Sequence, residues 1–208
     1  MVSHVAILAL GFIAQGLFGL RMLVQWVALE KKKSWIAPTL FWQISLLASL
    51  LFLVYGVLRY DAVIVAGQLL TYYIYVRNLQ VKNEWLTIHK SLRIIFMVIP
   101  VVSLGWVVYQ QVFTNEVYRW EVLSHPMMII GFAGQLILNL RFVYQWFYLE
   151  KNKESVLPRL FWILSLIGSV LVLVYAFNHP QYKIEPVLIL AQSLALVVYI
   201  RNLMVGKL

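Results

Sequence analysis

Cysteine is absent from this chain, which excludes disulfides, thiolate metal sites and cysteine nucleophiles without fixing the compartment. Carboxylates are scarce: 8 Asp and Glu stand against 17 Lys and Arg in 208 residues, and charged residues make up only 12%. The four histidines, His4, His89, His125 and His179, lie near the ends of apolar stretches and have no metal-ligand spacing. General acid–base chemistry needs a carboxylate or imidazole positioned at the reacting centre. With all of these groups at segment ends, no catalytic residue, metal or cofactor is expected, and the chain reads as a non-enzyme.

Apolar residues make up 62% of the sequence and the mean hydropathy is +0.83, outside the range of a soluble globular domain. Seven apolar segments can be marked: Val5 to Leu29, Pro38 to Leu58, Ala62 to Val81, Ser91 to Phe113, Pro126 to Leu149, Pro158 to Phe177 and Pro186 to Val205. Each is near the roughly 20 residues a helix needs to cross the hydrocarbon. The expected fold class is an all-α polytopic membrane protein with seven transmembrane helices. The net charge of +9 is spread through short loops beside these segments, which suits anionic lipid head groups rather than nucleic acid. The first apolar stretch lacks a basic leader and its pattern recurs deep in the chain, so it is expected to be a retained helix rather than a signal peptide.

The stretch from Gly11 to Trp42 is written twice, returning as Gly131 to Trp162. The matches include Gln15/Gln135, Arg21/Arg141, Gln25/Gln145, Glu30/Glu150, Pro38/Pro158 and Trp42/Trp162, and after a short insertion Asp61/Glu185, Gln68/Gln192, Tyr75/Tyr199, Arg77/Arg201 and Asn78/Asn202. This gives a three-helix repeat over 1–81, a loop and linker helix over 82–124, and a second repeat over 125–208. An odd linker returns the second repeat to the side of the first, so the repeats are expected to be parallel. Of the 17 basic residues, 12 fall in the loops of one side and only Arg59, Arg119 and Lys183 in those of the other. That bias puts the C-terminus in the cytoplasm and the N-terminus outside.

Helix ends are legible as well. Pro38, Pro158 and Pro186 suit a first helical turn, where the missing N–H costs nothing. Asp61 and Glu185 near two helix N-termini, with Arg77 and Arg201 near the C-termini, match the macrodipole. The Phe41-Trp42 and Phe161-Trp162 pairs are expected to anchor at head-group depth. Ser45 and Ser49, like Ser165 and Ser169, lie four apart on one face and suit close helix packing.

Arg21 and Arg141 are the costly features, each a charge inside an apolar run. Arg21 stands nine residues before Glu30, placing its Cα about 13 Å inside the helix end. Its side chain leans toward the helix N-terminus, away from that end. Two readings stay open. The arginines bond backbone carbonyls or Gln25 and Gln145 as structural groups, or they receive an anion, for which a planar fork that grips phosphate oxygens is suited. Gln15, Gln135, Gln68 and Gln192 are either interhelical glue or part of the same polar site. Asn139 stands where the first repeat has Gly19.

The pattern Gly-Phe-x-x-Gln, Arg-x-x-x-Gln-Trp-x-x-x-Glu-Lys, Pro-x-x-Phe-Trp-x-x-Ser, Gly-Gln or Ala-Gln, and Tyr-x-Arg-Asn-Leu resembles the lipid-A-biosynthesis N-terminal domain over Gly11 to Leu79 and Gly131 to Leu203. The three-one-three plan is more weakly similar to SWEET and PQ-loop transporters, whose Pro-Gln signature is missing: Thr39 follows Pro38 and Arg159 follows Pro158. The resemblance implies a role in bacterial envelope glycolipid metabolism at the inner membrane. It marks Gln15, Arg21, Gln25, Gln68, Arg77 and Asn78, with Gln135, Arg141, Gln145, Gln192, Arg201 and Asn202, as the residues to watch.

Three functions follow as expectations. The first is a flippase-like carrier for a lipid-linked sugar phosphate; the second is a non-transporting subunit presenting lipid to a membrane glycosyltransferase; the third is a SWEET-like carrier of small sugars. Membrane lipids are the expected surroundings, nucleic acid is not a partner, and the oligomeric state is left open.

Overall fold

The computed structural model describes residues 3–32, 38–110, 123–152 and 158–205. Seven helices follow in order: α1 (His4–Lys32), α2 (Thr39–Leu58), α3 (Ala62–Val81), α4 (Lys90–Tyr109), α5 (Pro126–Asn152), α6 (Arg159–Phe177) and α7 (Pro186–Val205). No strand occurs among the described residues. Six helices are long and apolar enough to cross a membrane. The expectation of seven spans is met by helix count but not by composition at α3, where Gln68, Thr71, Arg77, Asn78 and Gln80 lower the hydropathy. At 29 residues α1 runs about 43 Å, longer than the hydrocarbon is thick.

The chain divides into two compact units, residues 1–119 and 120–208. In the first, α2 packs against α1, α3 and α4, and α4 also touches α3; in the second, α6 packs between α5 and α7. The linker helix α4 thus belongs with the first unit. Within α4, the missing N–H of Pro100 leaves the carbonyl of Phe96 without its helical donor. The Tyr72 hydroxyl donates to that carbonyl at 2.6 Å, tying α3 to the break.

Small residues set how closely the first two helices of each unit approach. A Cβ on Gly134 would lie 3.0 Å from the Gly168 backbone oxygen, and one on Gly168 would lie 3.1 Å from the Gly134 oxygen. Their counterparts in the first unit are the fully buried Ala14 and Ala48. There the tight spot is Gly11, where a Cβ would meet the Tyr55 ring at 2.8 Å. Small faces of this kind let helices meet in lipid, where no hydrophobic force drives them together.

The helix ends follow the sequence with two shifts. Pro186 opens α7, but Pro38 and Pro158 stand one place before their helices, at the N-caps, where their extended ψ values of 157° and 156° admit the chain. Asp61 caps α3 by accepting from the Ile64 N–H at 3.0 Å, while Glu185 immediately precedes α7 and is fully buried. Ser3 accepts from the Ala6 N–H at the start of α1. The histidines serve ends and turns: the Nδ1 atoms of His89 and His125 accept from Ser91 and Met127 N–H, and that of His179 accepts from Gln181 and Tyr182. Arg59 lies in the turn between α2 and α3, where the loop reading put it, but is buried, with Nη1 3.2 Å from His4 Nε2.

Candidate functional site

Each unit holds its arginine in the same way. Arg21 on α1 donates from Nη1 to Ser45 Oγ on α2 at 3.1 Å and to the Tyr75 hydroxyl on α3 at 2.7 Å. Arg141 on α5 donates from Nη1 to Ser165 Oγ on α6 at 2.8 Å and to the Tyr199 hydroxyl on α7 at 2.7 Å. Each serine passes its own proton four residues back along its helix, to the carbonyl of Phe41 or Phe161, so its oxygen is oriented to accept. The arginine thus reaches from the first helix of its unit to the second and third and joins all three.

Aromatic rings enclose the guanidinium. Arg21 Cζ lies 4.6, 5.4 and 5.5 Å from the ring centres of Phe18, Phe41 and Tyr75. Arg141 Cζ lies 4.8, 5.4 and 5.3 Å from those of Phe142, Phe161 and Tyr199. Two rings correspond between units, whereas the third comes from Phe18 in one and Phe142 in the other, one turn apart. Ring faces attract a cation by roughly 0.5–2 kcal/mol each, most where water is excluded. Phe41 and Phe161 therefore do not anchor at the surface as their position near the helix start suggests: both are buried, turned inward over the charge. Trp42 and Trp162 continue the cluster, 6.2 and 6.1 Å from the Tyr75 and Tyr199 rings.

What this arrangement leaves undone is as informative. The partners of both guanidinium groups among the described residues are hydroxyls and rings, with no carboxylate to balance the charge. The Nε–H of Arg21 and of Arg141 is buried without a hydrogen-bond partner, and so is the indole N–H of Trp42. All three are donors. An acceptor, and for the arginines an anion, would satisfy them.

The other expected site residues divide. Ser49 donates to Gln68 Oε1 at 2.9 Å and Ser169 to Gln192 Oε1 at 2.7 Å, so these glutamines join the second and third helices of their units, the glue geometry. The serine pairs expected only to pack are the direct partners of the arginines and glutamines. Gln15 is half-buried and Gln135 buried on the first helix of each unit; Gln145 is half-buried, while the Gln25 side chain lies outside the described residues. Arg77 and Arg201 are exposed, Arg77 reaching Gln80 at 3.5 Å. Asn78 and Asn202 donate to the carbonyls of Ile74 and Val198 in their own helices, at 2.8 and 2.9 Å. These four are not brought to the arginines. Tyr75 and Tyr199 are the site residues that sequence reasoning passed over, although their match between repeats was a signal.

The fold and the paired constellations define a multi-span helical membrane protein with one half-buried arginine cluster per three-helix set. The chain belongs to the family described as the Lipid A Biosynthesis N-terminal domain, which it matches twice, over residues 10–80 and 130–204. It is 30% identical to a lipid-A-disaccharide synthase of Chlamydia pneumoniae over 80% of its own length and 28% of the relative's. With the synthase of Chlamydia caviae the identity is 28% over 93% of this chain and 32% of the relative. The chain thus spans about a third or less of these curated relatives. No solved structure matches it significantly.

Proposed function

We propose that this protein is a carrier of envelope glycolipid metabolism that binds a lipid-linked sugar phosphate in the inner membrane and moves its head group across. The observation that carries this reading is the arginine cluster: a guanidinium fixed by two hydroxyls through one nitrogen, walled by rings, with no carboxylate partner among the described residues, and with its Nε–H still to donate. A phosphate oxygen supplies the missing acceptor and the missing charge together. The lipid tail stays among the exposed apolar side chains and only the head group enters the protein. In this reading the seven helices form two parallel three-helix repeats around a linker, with the N-terminus periplasmic and the C-terminus cytoplasmic, as the basic-residue bias supports. The protein itself performs no bond chemistry.

Purified protein in detergent tests the ligand class, because a ligand that binds only the folded state raises its melting temperature. A polyprenyl phosphate sugar is expected to raise it and a free sugar is not. Stabilisation by the free sugar alone would favour a small-sugar carrier, and stabilisation by neither would remove the lipid-phosphate reading.

A second reading is favoured by the relatives. They are named as lipid-A-disaccharide synthases, and the match covers 28% and 32% of their lengths; in this reading the domain presents lipid to a glycosyltransferase without moving it. Reconstituted vesicles separate the two: a carrier transfers a labelled lipid-linked sugar between leaflets on its own, and a presenting subunit does not.

A further inference from the structure

Three asparagines within helices, Asn78, Asn139 and Asn202, and Asn178 at the C-cap of α6 make the same local bond, donating from Nδ2 to the carbonyl four residues back. Asn78, Asn178 and Asn202 are half-buried or exposed. Asn139 is different, being only 6% exposed, with its Oδ1 sealed from solvent and without a donor. Flipping the amide would not help. It would turn Oδ1 toward the Gln135 carbonyl oxygen, now 2.8 Å from Nδ2, and set two acceptors against each other. The side chain is therefore committed to offering an acceptor.

An acceptor left unmade in a buried place costs roughly 1–3 kcal/mol. The first unit avoids this cost, since Gly19 stands at the corresponding place and the preceding Gln15 is only half-buried, whereas Gln135 is 8% exposed. The polarity is also opposite to that of the arginine clusters, whose unmet groups are all donors. What would satisfy the Asn139 oxygen is a group carrying O–H or N–H rather than an anion.

We propose that the Asn139 carboxamide oxygen is a ligand-binding acceptor that takes a hydrogen bond from a hydroxyl or N–H of the bound head group, so that the second unit reads the neutral glycosyl part. The assignment to a glycosyl group rests on the lipid-linked sugar phosphate proposed above; the need for a donor does not.

The test uses the full chain in a sugar-free detergent with three probes: a polyprenyl phosphate, the same lipid phosphate carrying one hexose, and an alkyl glucoside. Wild type is expected to bind the glycosylated lipid roughly tenfold tighter than the bare phosphate, about the worth of one hydrogen bond to a buried group. Asn139→Leu should abolish that preference and bind the bare phosphate as wild type does. The empty variant should be no less stable, since an unmet polar group has been removed. If the leucine variant fails to fold, Asn139→Gly, which installs the first unit's residue, carries the comparison. A preference that survives in either folded variant, as it would if Asn139 merely held a water, overturns the inference. So does a wild type that binds neither glycosyl probe better for having the sugar. If wild type ignores the bare phosphate yet binds the alkyl glucoside in an Asn139-dependent way, the arginine reading fails and this one stands.

Discussion

A charge inside an apolar helix is visible in a sequence, but the groups that receive it are not. Arg21 and Arg141 announced themselves, whereas Ser45 and Tyr75 lie 24 and 54 positions from Arg21 and reach it only through the packing of three helices. Hydroxyls are common in apolar helices and usually bond their own backbone, as Ser45 also does, so nothing local marked them as arginine partners. The tyrosine hydroxyls are the shorter bonds, at 2.7 Å in both units. Tyr75→Phe should destabilise the protein through its bond to Arg21 and nothing else. A double-mutant cycle with Arg21→Gln is then expected to give a coupling of roughly 1–2 kcal/mol, the range for interhelical bonds in membranes. Additive effects would mean that the hydroxyl does not hold the guanidinium.

Elements were more legible than their contacts. Where their ends fall on described residues, the segments marked from hydropathy coincide with the helices within a few residues, because length and apolarity are properties of one segment at a time; the end at Phe113 lies outside the described residues. What α4 packs against is not such a property, and Pro100 in its apolar run gave no sign that Tyr72 would answer it. The bond from Tyr72 to the Phe96 carbonyl predicts a specific rescue. Tyr72→Phe should cost about 1–3 kcal/mol by orphaning the carbonyl. In a Pro100→Ala background the alanine N–H supplies the helical donor, and the same tyrosine substitution should become nearly neutral. Equal costs in the two backgrounds, measured by thermal unfolding, would show that the proline break is not what the tyrosine serves.

At the scale of the whole molecule the repeat was the strongest signal in the sequence, and each unit holds its arginine by the same two hydroxyl types, two corresponding rings and an unpartnered Nε–H. Its departures, Asn139 for Gly19 and Phe142 for Met22, became meaningful only once the surroundings of those side chains were known. The proposed topology makes its own prediction. Thr87 and Asn178 are exposed, in the loop between α3 and α4 and in the segment between α6 and α7. In a chain with no native cysteine, Asn178→Cys should react with an impermeant thiol reagent in cells with a permeabilised outer membrane, and Thr87→Cys should not. The reverse pattern, or labelling of both, would contradict the arrangement.

The central claim is that the half-buried arginines receive a lipid phosphate, and the most direct measurement is binding of a polyprenyl phosphate sugar to arginine variants whose folding is verified separately. Lysine keeps the charge but loses the planar fork, and glutamine loses both. Affinity should fall from wild type to Arg→Lys to Arg→Gln at whichever of Arg21 and Arg141 contacts the phosphate, with each charged hydrogen bond worth roughly 1.5–3 kcal/mol. The folded Arg21→Gln, Arg141→Gln double variant should retain no measurable affinity; binding as tight as wild type would contradict the account and leave the two arginines as staples between helices.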